Sequence, residues 1–202
     1  SDVYKRQVGM CPVRALRVSY TGELGWELHH PIEMQNYLLN ILLSSGGEFN
    51  LKLVGARAQN WLRQEKSYKA FGSDLGRDAG PFESKLSRFV DINKNFLGKD
   101  ALLKRKTDVS CVTLLIDGPK DIDPWGREAL YNETEEVMLG RLTSAGYSVH
   151  FKRSIGIGYV KSSFSEVGTK LRIKIDDAFW NAEIVRDLSL IHISEPTRRY
   201  EI

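Results

Sequence analysis

Six short apolar runs fill the second half of this 202-residue chain, and they constrain its fold more than any other feature. They read VSCVTLLID (109–117), REALYN (127–132), EVMLGRLTSAGYS (136–148), SIGIGYVKS (154–162), TKLRIKI (169–175) and WNAEIV (180–185). Gly, Pro, Asp and Asn separate them at intervals of about ten residues, the spacing of a small all-β barrel or sandwich. IDDAF, between the last two runs, predicts a hairpin turn.

The first half is mixed. VRALRVSY (13–20) alternates as a strand does, GELG supplies a turn, and the strand resumes at Trp26-Glu27-Leu28 before stopping at Pro31. Pro31 opens a helix over 31–47, with Met34, Tyr37, Leu38, Ile41 and Leu42 on one face and Gly46-Gly47 at its end. A second helix is expected over 55–72, with Ala56, Trp61, Leu62 and Tyr68 facing the core. From Asp74 the pattern predicts loop, strand, then a short basic helix from about Lys99, ending in the solvated run Lys104-Arg105-Lys106. The expected class is α+β: an α+β part over 8–105, then an all-β part over 108–187.

The termini are set aside from that expectation. With suitable codons, the reverse complement of the six codons for Asp2–Gln7 translates as Leu-Ser-Leu-Ile-His-Ile, which is Leu188–Ile193. Residues 1–7 and 188–202 therefore resemble translated sequencing adapter, leaving 8–187 as the expected genuine segment, open at both ends. The formal charge is +3, and +2 without those tails, too small and scattered to argue for nucleic acid. No apolar run reaches the length of a membrane span. Cys11 and Cys111 lie far apart without Cys-x-x-Cys spacing, which favours a reduced compartment, cytoplasm or mitochondrial matrix.

Several motifs occur in one order: Tyr20-Thr21-Gly22-Glu23-Leu24-Gly25-Trp26-Glu27, Gly55-Ala56-Arg57, Leu62-Arg63-Gln64-Glu65, Gly72 with Asp74, Pro81 with Glu83, and Phe96 to Leu102. In that order they resemble the folate-binding aminomethyltransferase family, founded on the T-protein of the glycine cleavage system. The resemblance implies the C-terminal half of the T-protein folate-binding fold followed by a small β-barrel domain. LRQEKSYKAFGSDL and DPWGREAL are more similar to the folate domain of flavin-dependent dimethylglycine and sarcosine dehydrogenases than to stand-alone T-proteins. Ser84-Lys85 and Ala58 depart from the family pattern, which usually has Ala-Gly and Asp there.

On the residues alone, Glu27 reads as an exposed strand acid. The resemblance implies instead that it binds the pterin, whose ring N–H and exocyclic amino group one carboxylate can accept together. It also implies a folate contact at Arg57, against a surface ion pair as the plain reading, and a ligand-side role for Tyr20. Aromatic residues in a hairpin, Tyr20 and Trp26 included, are otherwise expected in the core. Arg63 and Glu65 read as structural. The implied cofactor is tetrahydrofolate, with FAD only in an upstream domain; the implied partners are folate and an N-methyl amine, not a membrane. A lipoyl carrier protein enters only if the parent is a stand-alone aminomethyltransferase. No catalytic residue is carried over, because the family's aspartate is expected upstream of this segment.

Other constellations fail. Adjacent His29 and His30 point to opposite strand faces and cannot chelate together. GIGYV lacks the third glycine and following helix of a dinucleotide fingerprint, and DGPKDIDPWG lacks the glutamate of a calcium loop. A non-catalytic folate module ranks third, since its Lys-Gly-Cys-Tyr-x-Gly-Gln stretch is missing. The segment is expected to expose apolar surface and to fold poorly alone.

Overall fold

The computed structural model describes residues 3–118 and 122–187. Its contacts divide the chain into two compact units, Ser1–Gln59 and Asn60–Ile202.

The first unit is built on an antiparallel sheet of order β1-β2-β3, with β1 Val3–Val8, β2 Cys11–Leu16 and β3 Glu27–His29. Val3–Gln7 pair with Leu16–Pro12 of β2, so the structure carries these residues, set aside above, as a strand. The segment 188–202 lies outside the described residues. Gly9 turns the first hairpin at φ 59°, and a Cβ there would stand 2.4 Å from the side chains of Tyr37 and Ile41. That closeness lets the Met10 N–H donate to the Tyr37 hydroxyl at 3.0 Å.

Alternation along β2 buries Cys11, Val13 and Ala15. Cys11 and Val13 form a small core with Leu38, flanked by Val8, Leu28, Met34 and Tyr37. Leu38 comes from α1, Gln35–Gly46, which follows a 3-10 turn at Ile32–Met34. The helix is shorter than expected, and Leu42 faces solvent.

β2 also ends earlier than expected, at Leu16 rather than Tyr20. The physical reason lies at Ser19, whose Oγ accepts the Thr21 N–H at 3.3 Å. Such a local side-chain bond draws the backbone out of a ladder into a turn. Residues 17–26 are therefore a loop, and Glu23 belongs to it.

The second helix, α2, is Ala56–Gln64, and the boundary between the units falls inside it. Expected core residues Ala56, Leu62 and Tyr68 are exposed, whereas Arg63, Gln64 and Glu65 are buried. A hydrophobic-face count misplaces this helix because the side it buries is polar. Between Asp74 and Gly98 there is no strand, only turns and a 3-10 segment at Ser87–Phe89. Arg105 explains part of that irregularity, since its Nε donates to Glu83 Oε1 at 2.9 Å. The short helix α3, Lys99–Lys104, follows.

The barrel strands are β4 Val109–Ile116, β5 Ala129–Tyr131, β6 Met138–Ser148, β7 Arg153–Lys161, β8 Lys170–Ile175 and β9 Ala178–Val185. They close in the order β4-β7-β6-β5-β8-β9, with β9 returning to β4. Inward-facing Val112, Leu114, Ile116, Leu130, Leu142, Val160, Ile173 and Ile184 fill the interior. Gly156 and Gly158 of GIGYV lie inside β7, as part of this wall.

Residues 60–108 group with the barrel in the second unit. Buried polar bonds explain it. Gln64 Nε2 donates to the Ala145 carbonyl at 3.2 Å, Ser148 Oγ donates to Glu65, and Ser67 Oγ meets Thr113 Oγ1 at 3.2 Å.

Candidate functional site

Glu27 opens β3, where Leu16 stands opposite Glu27, Ala15 opposite Leu28 and Arg14 opposite His29. Ala15 is buried and Leu28 packs on the small core, so strand alternation puts Arg14, Leu16, Glu27 and His29 on the other face. The Glu27 side chain is 52% exposed, and its Oε2 lies 3.2 Å from His29 Nε2. A carboxylate only accepts, so the imidazole Nε2–H is the donor.

Tyr20 sits in the loop 17–26 with its ring partly exposed, and Arg57 is the exposed second residue of α2. The three expected site residues thus come from three segments of the first unit, and each is exposed. Trp26 is half exposed rather than core, its ring 5.8 Å from that of Tyr4 at 52°. The sequence reading missed His29 as a partner of Glu27. Their i, i+2 spacing on a strand is the signal that would have found it.

The second unit carries a buried polar cluster. Arg63, 2% exposed, donates from Nη1 to Asp74 Oδ2 at 2.7 Å and to the Tyr68 carbonyl at 2.6 Å. Its Nη2 donates to Ser144 Oγ at 2.7 Å and its Nε to Asn60 Oδ1 at 2.8 Å. Asp74 Oδ1 accepts from both Thr143 and Ser144 at 2.6 Å. Consecutive strand residues ordinarily face opposite ways. Here a bulge between Leu142 and Ser144 leaves Thr143 unpaired and lets both hydroxyls reach one carboxylate. The Tyr159 hydroxyl donates to the Asp74 carbonyl at 2.7 Å and lies 2.7 Å from Ser84 Oγ. Burial is the main cause of the rise of its pKa to about 12, so it remains a neutral donor.

Glu83 differs: burial pushes its carboxyl up, but a backbone N–H, Thr107 and the Arg105 guanidinium outweigh that and hold it below the ordinary range. It is an ionised anchor. Every Asp74 oxygen is engaged within the protein, so this cluster fits a scaffold and not a ligand site. Among the described residues no group of three or more His, Cys, Asp or Glu is placed to hold a metal, and no helix is long and apolar enough to cross a membrane.

Both cysteines are buried and unpaired, and burial pushes the Cys111 thiol up to about 11. The thiolate is the reactive form. Ellman's reagent at neutral pH is expected to titrate neither thiol in the folded protein and both in denaturant. Rapid native reaction of two thiols would show that this burial is not maintained.

A closed six-stranded antiparallel barrel, tied by buried polar bonds to the segment before it and preceded by a small α+β unit, is the C-terminal arrangement of the T-protein fold. Residues 2–94 match the GCVT N-terminal domain, and residues 110–188 match the glycine cleavage T-protein C-terminal barrel domain. The chain belongs to the glycine cleavage T-protein family.

Among its relatives is mitochondrial dimethylglycine dehydrogenase of Mus musculus, 37% identical over 194 residues, covering 93% of this chain and 22% of the relative. The aminomethyltransferase of Caldanaerobacter subterraneus subsp. tengcongensis is 31% identical over 185 residues, covering 90% of this chain and 49% of the relative. The crystal structure of glycine cleavage system aminomethyltransferase T from Bartonella henselae has a TM-score of 0.75 at 24% identity, over 86% of this chain and 48% of that one. The chain spans half or less of the length of each of these relatives.

Proposed function

We propose that the protein containing this chain transfers one-carbon units to tetrahydrofolate, and that Glu27 orients the pterin. The observation that carries this reading is the Glu27 carboxylate: half exposed on the outer face of β3, with Oε2 anchored at 3.2 Å by His29. An ionised carboxylate offers about four lone-pair positions, and one imidazole N–H occupies one of them. The rest suit a side-by-side pair of N–H donors, so the residues fit a pterin. Arg57 would supply a planar cation for a folate carbonyl or carboxylate, and Tyr20 a ring face beside the ligand. Tetrahydrofolate supplies the nucleophilic nitrogens that accept the one-carbon unit. This chain's residues bind and orient it, and none is assigned a proton transfer or an FAD contact.

The finer reading is the folate-binding part of a flavin-dependent dimethylglycine or sarcosine dehydrogenase, acting in the mitochondrial matrix or cytoplasm. What supports it is 37% identity to the dehydrogenase against 31% to the aminomethyltransferase, and the stretch Glu65-Lys66-Ser67-Tyr68. A parent transferring an aminomethyl group from a lipoyl carrier is the alternative.

Glu27→Ala tests the site in the complete protein. Leaving two ligand donors unpaired costs about 2 kcal/mol, so tetrahydrofolate should bind roughly 30-fold more weakly. A dissociation constant unchanged within twofold would remove Glu27 from the site.

A further inference from the structure

We infer that His29 is a positioning residue for Glu27, holding the carboxylate in its ligand-accepting rotamer before folate arrives. The inference rests on the folate reading above and adds a residue to it. Strand geometry makes the pair possible, because residues two apart on β3 project from the same face. The Nε2 to Oε2 distance of 3.2 Å is that of a hydrogen bond, with Nε2–H as donor.

An exposed glutamate otherwise samples several rotamers, and a ligand that binds it must take up that ordering cost itself. The imidazole takes part of that cost in advance. Its ring needs few torsions fixed to reach Oε2, the carboxylate oxygen it bonds. Arg14 matters here as well. It stands directly opposite His29 on β2, on the same face, and is the charged group of that strand able to draw the Glu27 carboxylate aside. Arg14 is only a diagonal neighbour of Glu27, across from His29, whereas His29 bonds the acid directly, so that hydrogen bond sets where the acid points. The pair is half exposed on both sides, 59% and 52%, so replacing His29 leaves the core of this unit untouched.

The test is a double-mutant cycle on the complete protein, read as the dissociation constant for tetrahydrofolate. His29→Ala should weaken binding about fivefold, the scale of one ordered side chain. His29→Gln, whose amide N–H takes the place of Nε2–H, should return affinity to within twofold of wild type. In a Glu27→Ala background, His29→Ala should have no further effect. Three results overturn the inference while leaving the folate site standing. These are a His29→Ala protein that binds like wild type, a fivefold loss that persists in the Glu27→Ala background, and a His29→Gln protein no better than His29→Ala. A Glu27→Ala protein with normal affinity overturns both readings together.

Discussion

Asp74→Ala is expected to destabilise the barrel-containing unit by about 3–5 kcal/mol, the cost of stranding one partner of a buried ion pair. Arg63 would keep its charge, because a guanidinium does not deprotonate in a protein interior. It would also keep its burial, since Asn60, Tyr68 and Ser144 still accept from Nε, Nη1 and Nη2. The losses extend beyond one bond: the Ala70 N–H, Thr143 and Ser144 all donate to the same carboxylate. For a unit of this size the change should lower the thermal midpoint by roughly 10 °C. Replacing both partners with apolar residues, Arg63→Met with Asp74→Leu, should cost less than Asp74→Ala alone, because no uncompensated charge remains. If the double variant is the less stable one, the hydrogen bonds of Arg63 outweigh its desolvation, and the charge argument fails.

The barrel was legible in the sequence because its signal is local. Each of the six expected runs coincides with a strand, and IDDAF turns where expected, with Asp176 at φ 51°. Alternation and turn residues act within ten positions, so one sequence suffices. The segment from Ala56 to Val109 was not legible in this way. Its order comes from bonds that span long stretches of chain: Arg63 to Ser144, Glu65 to Ser148, Tyr159 to Asp74. A polar residue destined for such a bond looks like a surface residue until its partner is known. This is why Arg63 and Gln64 turned up in the interior while Leu62 and Tyr68 did not.

The recurring motifs divide along the same line. Leu62-Arg63-Gln64-Glu65 and Gly72-Ser73-Asp74 meet Thr143 and Ser144 in one polar cluster, so two of the stretches that marked the family are structural ties. The acid that closes the hairpin motif, Glu27, lies outside that cluster. It is held by one local bond and faces solvent. A carboxylate that the fold does not consume is available to a ligand, and that difference separates the proposed site from the scaffold.

Gly140→Ala is the second large effect expected, at about 3 kcal/mol or more. Gly140 of β6 stands opposite Val160 of β7, and a Cβ built there would lie 2.0 Å from the Tyr159 carbonyl oxygen and 2.8 Å from the Val160 Cα. Both obstacles are backbone, so no side-chain rotation relieves the contact, and the strands must separate. Gly158, on the facing strand, meets the Arg141 carbonyl at 2.5 Å in the same way. Both glycines lie next to the bulge at Leu142–Ser144, Gly140 two residues before Leu142 and Gly158 opposite it, where extra twist brings the strands over each other. Spreading this seam would also pull Thr143 and Ser144 away from Asp74, so overpacking and loss of the polar cluster compound. Gly76 has nothing within 4 Å of its would-be Cβ, and Gly76→Ala should change stability by no more than about 0.5 kcal/mol. Urea unfolding of the two variants side by side decides the matter. Equal midpoints would mean that β6 and β7 can part without cost, and that the barrel does not depend on this close approach.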